Sequence, residues 1–252
     1  MSEKPKPTRA ELARASQTTY SMSKTGNRAD RLKHAQDNTP NNYTVMPEHT
    51  DRMITTMKHN TDNHYIVAHR GTDLHGTQSK KDLEADFHIL TGNTEDDTTH
   101  KRRTTKTARI VKALKGKGDI YLTGHSLGGS TAHHAMVHSK VVRDGVKQVD
   151  TFNTGSSPFQ TKEHKSNSKA YKDIHSKTTH HHIEGDEISS NVKSGYIGKH
   201  KTYKSNKKPT IAQHIFNTVK PIIEMSPLGK LGSFLGEKLS TTLSAHSLKH
   251  FF

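Results

Sequence analysis

Ser126 stands in a frame of small residues, Gly124-His125-Ser126-Leu127-Gly128-Gly129. The apolar run Ile120-Tyr121-Leu122 precedes it and a segment rich in small residues follows. A serine hydroxyl is a weak nucleophile alone: it needs a base, and a place for the negative charge that its attack creates. A Gly-x-Ser-x-Gly turn between a strand and a helix serves both needs, because it exposes the hydroxyl at the strand end. Side chains at 124 or 128 would collide with the backbone in so sharp a turn. The free N–H groups of the following helix point to where an oxyanion forms, and the residue after the nucleophile, Leu127, is selected as one donor.

On such a fold the chain order is nucleophile, acid, histidine. Asp186 suits the acid, since it follows the strand candidate Thr178–Ile183 and a glycine. Asp150 lies inside a predicted strand and reads as structural, and Asp144 falls in a linker. For the base, His200, His214, His246 and His250 are all candidates. His246, in Ala245-His246-Ser247-Leu248, follows an apolar segment and precedes a short hydrophobic end that could pin it. From Ser126 to Asp186 is 60 residues, and from there to His246 is 60 more, which leaves room for a strand and a crossover each time.

These residues need a sheet to hold them. Tyr65–Ala68 reads as a buried strand of a parallel sheet. Lys101–Lys115 reads as a helix with Ala108, Val111 and Leu114 on one face and its basic residues on the other. Strand 119–123, helix 127–139 and strand 146–152 follow, and Tyr43–Val45 and Met53–Met57 are early strand candidates. The fold class predicted is α/β, an α/β-hydrolase-type mostly parallel sheet with helices on both faces. Residues 1–20 are expected to form a basic flexible lead-in, although Glu11–Tyr20 can form a short helix. Residues 21–252 form one expected domain with polar and basic insertions, among them a hairpin around Tyr196 and Tyr203. Leu228, Leu231, Phe234, Leu235 and Leu239 have near-helical spacing, suiting a core helix or an interfacial segment.

Composition narrows the classes. Leu, Ile, Val and Phe make up only 44 of 252 residues and the net charge is +15, so the core must be thin and the loops polar. Absence of cysteine excludes disulfides and thiolate metal sites. No apolar h-region follows the first lysines and no run reaches membrane-spanning length, so neither a signal peptide nor a membrane span is expected. The cytoplasm and a virus particle are the locations weighed. The basic surplus suits anionic partners, either a membrane surface touched peripherally or nucleic acid. Lys162–Lys177 and Lys199–Lys208 lack the aromatic interleaving of a stacking platform and read as solvated faces. With 21 histidines, chance clusters such as His133-His134 and His180-His181-His182 are expected. Consecutive histidines on a strand point in alternate directions, so no metal is assigned there.

Three linked motifs resemble those of the class 3 (fungal-type) lipases, serine esterases of α/β-hydrolase fold. They are Gly124 to Gly129; Ile66-Val67-Ala68-His69-Arg70-Gly71-Thr72, with His69 where an aromatic is usual; and Thr151-Phe152-Asn153-Thr154-Gly155-Ser156-Ser157-Pro158. The resemblance implies a Ser126-Asp186-His246 triad and an oxyanion hole from the N–H groups of Thr72 and Leu127. It implies a carboxylic-ester hydrolase of lipase or phospholipase type, acting on a lipid or small ester with no metal or organic cofactor. Arg70 is expected to brace the loop that carries Thr72. Residues 73–82 are polar and lack tryptophan, unlike the family's apolar lid, which favours phospholipid or soluble esters over neutral fat. The alternatives are a catalytically silent hydrolase scaffold or a basic nucleic-acid- or virion-associated binding protein.

Overall fold

The computed structural model describes residues 5–23, 26–72, 98–154, 168–184, 186, 197–204 and 251. Seven strands form one sheet: β1 (Tyr43–Val45), β2 (Ile54–His59), β3 (His64–His69), β4 (Asp119–His125), β5 (Gln148–Phe152), β6 (Thr178–Ile183) and β7 (Lys199–Tyr203). Their spatial order is their chain order. β1, β2 and β3 run antiparallel, and β3 through β7 run parallel. This is the expected mixed, mostly parallel sheet with helices on both faces.

Continuous strand order has a packing consequence. Parallel crossovers share one hand, so strands laid down successively place their connecting helices on one face. Those helices are α3 (Thr98–Leu114), α4 (Leu127–His138), α5 (Lys140–Gly145) and α6 (Lys169–Lys177). They share an apolar cluster with Tyr65, Val67, Ile120 and Leu122. The alternate strand residues, Ile66, Ala68 and Tyr121, point to the opposite face and need another cover.

The N-terminus supplies it, which corrects the expected flexible lead-in of residues 1–20 over Arg9–Thr18. α1 (Arg9–Thr18) opens with a capping box: Glu11 donates its N–H to the Thr8 hydroxyl, and the Glu11 carboxylate accepts the Thr8 N–H. Leu12, Ala13 and Ala15 are buried against the sheet. Ser16 Oγ lies 2.9 Å from Thr123 Oγ1, and that hydroxyl also donates to Leu12 O. α2 (Arg28–Asp37) adds Ala35 to the same cover, and Phe251 near the end of the chain closes it beside Phe152. Thr8 and Glu11 carry the Thr-x-x-Glu signature of the capping box in the sequence.

Two smaller expectations also change. Lys199–Tyr203, predicted in a hairpin, forms β7 parallel to β6. Part of the stretch expected to be a solvated face, Lys162–Lys177, enters α6, which buries Ile174. No helix among the described residues is long and apolar enough to cross a membrane.

The thin apolar core is supplemented by buried histidines. His69, His134 and His180 are held below their ordinary range, chiefly because burial disfavours the charged ring. For His69 the value falls to about 3, with Arg103 adding its repulsion. The unfolded chain protonates these rings near pH 6.5, while the native chain resists until far lower. The native state therefore binds fewer protons below pH 6.5, and stability drains away as pH falls. Each such ring costs up to about 1.4 kcal/mol per pH unit in that window. The thermal midpoint, followed by circular dichroism, is expected to be flat above about pH 7.5 and to drop steadily from pH 6.5 to 5. A flat or rising midpoint across that window would contradict this account.

Candidate active site

β4 ends at His125 and α4 begins at Leu127, leaving Ser126 alone at the junction. Its backbone adopts φ 56°, ψ −128°, a conformation seldom taken by a residue with a side chain. Such strain persists only where the surroundings over-determine it. Here the Ser126 N–H donates to Phe152 O at 3.0 Å at the end of β5. The Ser126 carbonyl accepts both the Ser130 N–H and the Thr154 hydroxyl, each at 3.1 Å.

Glycine is compulsory around this turn. A Cβ on Gly124 would lie 2.3 Å from the Gly128 backbone, and one on Gly128 would lie 2.2 Å from His69 O. A Cβ on Gly129 would meet the Thr154 side chain at 2.6 Å. The first turn of α4 thus rests directly on the end of β3. That contact brings Leu127, which is buried, beside the His69-Arg70-Gly71-Thr72 segment, where Thr72 is half-buried.

The β3 end is braced from behind. Arg70 and Arg103 are both fully buried. Arg103 donates to Arg70 O, and Arg70 Nε donates to Gly71 O at 3.3 Å. Arg70 thus sits in the loop leading to Thr72, as expected. Arg103 was assigned to the solvated face of its helix, yet it lies on the buried stripe with Thr107, Ile110, Val111 and Leu114. The 3.6-residue spacing from Arg103 to Thr107 to Val111 was the available signal. His69 fills the aromatic position as a neutral ring, with Nδ1 3.0 Å from Thr131 Oγ1 and Nε2 2.9 Å from Thr107 Oγ1.

Tyr20 is the residue near the elbow that sequence reasoning missed. Its hydroxyl lies 3.1 Å from His125 Nδ1 and packs over Gly71, where a Cβ would meet it at 2.1 Å. Nothing short-range in the sequence marks it, because α1 must first dock on β4 to bring it there.

Asp186 follows β6 and is fully buried, its N–H donating to Ile183 O at 3.1 Å. The strand ends between it and Ser126 are stitched together by Asn153, itself at positive φ. Its N–H donates to His181 O at 2.8 Å, and its side-chain oxygen accepts the Ile183 N–H at 2.9 Å. Ser126 and Thr72 at one point, and Asp186 two strands away, therefore share the carboxyl-terminal edge of the parallel strands. Asp150 is engaged elsewhere, with His181 Nε2 at 2.8 Å, in keeping with a structural role. His246, the polar segment 73–82 and the apolar spacing of Leu228 to Leu239 lie outside the described residues.

Residues 41–220, from before β1 to beyond β7, match the family model described as Mbeg1-like. No curated protein matches the chain.

The elbow geometry yields a stability prediction. Gly124→Ala should destabilise the chain by at least about 2 kcal/mol, because its neighbour is backbone that cannot swing aside. Gly116→Ala serves as a contrast, since no atom lies within 4 Å of its Cβ position and only its positive φ resists the change. Urea unfolding of both variants measures the difference; equal losses would show that crowding at the elbow is not decisive.

Proposed function

We propose that this chain, which belongs to the Mbeg1-like family, is a serine carboxylic-ester hydrolase acting on lipid acyl esters. Family and sheet together make it a hydrolase-like domain. The observation that carries the finer reading is the Ser126 backbone at φ 56°, ψ −128°, over-determined by three glycines and by contacts from β3 and β5. A structural serine has no need of such strain. A nucleophile does, since the turn sets its hydroxyl at the mouth of a helix N-terminus.

In this reading Ser126 Oγ attacks the ester carbonyl while neutral His246 takes its proton. Asp186 fixes the histidine tautomer and stabilises the imidazolium. The N–H groups of Thr72 and Leu127 hold the oxyanion, and the close seat of Gly128 on His69 supports their pairing. The imidazolium then returns its proton to the leaving alcohol, and the neutral ring activates water to release the acid. His246 is supported by the anchorage of Phe251, whose ring lies 4.8 Å from that of Phe152. Phe152 O in turn holds the Ser126 N–H. In this reading the five residues from Phe251 back to His246, a reach of at most about 18 Å, carry the base to the elbow. His200, on β7, is the weaker candidate, because its Nδ1 lies 3.0 Å from His182 Nε2 on β6. A net charge of +15 favours esters presented on an anionic lipid surface.

Peptide mapping after treatment with a fluorophosphonate probe is expected to find the label on Ser126, and unlabelled folded protein would refute the enzyme reading. Ser126→Ala and His246→Ala should each lower kcat on a short-chain nitrophenyl ester by about three orders of magnitude or more. His200→Ala should leave it within about threefold of wild type. The reverse pattern between the two histidines would overturn the triad.

A further inference from the structure

The end of the sheet away from Ser126 carries a second group of polar side chains that the proposed reaction does not use. β2 and β3 are antiparallel with Lys58 opposite Tyr65, so the next pair outward, His59 and His64, shares one face of the hairpin. Tyr43 of β1 stands opposite His59. Asp62 sits in the four-residue turn between the two strands. One ring nitrogen from each histidine and one carboxylate oxygen of Asp62 lie within 4.8 Å of one another.

Two further observations separate this group from a chance cluster. His64 is 4% exposed, and its Nδ1 is buried with no hydrogen-bond partner among the described residues. A buried polar atom left in this way asks for an unseen water or ion. Its other nitrogen, Nε2, lies 2.7 Å from the Tyr43 hydroxyl. With the proton on Nε2 and donated to Tyr43, Nδ1 keeps its lone pair and has no hydrogen-bond partner among the described residues. Histidine ligands of metals are usually held this way, by a partner on the nitrogen that does not bind. Secondly, His59 Nδ1 and Asp62 Oδ2 are 3.3 Å apart, about the separation of two ligands on one tetrahedral ion with bonds near 2 Å.

We propose that His59, Asp62 and His64 bind a divalent transition-metal ion of the zinc class. Two imidazoles and one carboxylate suit zinc or cobalt and not the all-oxygen preference of calcium or magnesium. Binding exchanges the hydrogen bond from the Asp62 N–H to His59 Nδ1, 2.9 Å in length, for a metal bond. The Asp62 side chain is 35% exposed, which gives the ion an entry and leaves a position for water. The ion would be a structural clip. It joins both ends of the β2–β3 turn, whose Asn63 O accepts the Asp119 N–H at 3.0 Å at the start of β4. Ser126 follows the far end of β4, so the clip takes no part in ester chemistry. Sequence reasoning assigned no metal because His59, Asp62 and His64 are unremarkable among so many histidines until the hairpin register aligns them.

The full chain, stripped with EDTA and dialysed, is titrated with zinc by calorimetry and with cobalt(II) by visible absorption. One equivalent should bind, with tetrahedral cobalt spectra, and zinc at 100 times its Kd should raise the thermal midpoint by about 5 °C or more. His59→Gln and Asp62→Asn, at the end of β2 and in the turn after it, should each weaken that site at least about 100-fold. His200→Gln, on β7 beside His180 and His182 of β6, should leave it unchanged. Absence of binding to wild-type protein, or a stoichiometric site that survives both turn variants, overturns the proposal. Fluorophosphonate labelling of Ser126 should be the same with and without metal, so this proposal and the hydrolase reading fail separately.

Discussion

The contact on which the structure depends is the seat of Gly128 against the carbonyl of His69. It joins the first turn of α4 to the end of β3 with no space for a methyl group. Backbone-to-backbone packing of this kind has no side chains to adjust, so it fixes the relative height of two strands and a helix at once. Gly124 and Gly129 extend the restriction on either side, and Ser126 absorbs the remaining strain in its own φ and ψ. The arrangement behind it, from Arg103 through the Arg70 carbonyl to Gly71, serves to keep that seat rigid.

A second constraint is the shortage of apolar residues. Many interior positions are filled by threonine and histidine, which must be hydrogen-bonded to be tolerated. His69 between Thr107 and Thr131, His180 against Thr151, and Ser16 against Thr123 show how this is done. Hydroxyls suit the task, because they can donate or accept as the histidine tautomer requires. The cost is a core sensitive to acid, since burial favours the neutral ring at His69 and His180. A clip at the β2–β3 turn would add stability that does not draw on apolar area.

Much of the sheet was legible because parallel strands buried on both faces read as short apolar runs. Tyr65–Ala68 and Ile120–Leu122 stand out even in so polar a chain. The elbow was legible because steric demand forces glycine at fixed offsets from Ser126. α1 was harder: its buried apolar content is three small or medium residues, and its favourable packing exists only once β4 offers Thr123 and the sheet face. Arg103 was misread for a related reason. A charged side chain looks solvated until the structure shows a carbonyl waiting for it.

By itself, then, the sequence determined the nucleophile candidate and the class of sheet, because those rest on local sterics and on strand periodicity, whereas the oxyanion candidate Thr72 rested on a family resemblance. Only the tertiary structure decided that α1 and Phe251 cover the second face, that Tyr20 meets His125, and that His59, Asp62 and His64 converge. Those relations join residues distant along the chain, or hang on strand register, where a shift of one residue would turn every side chain to the other face. No pattern of residue types records that register; the hydrogen-bonded ladder sets it.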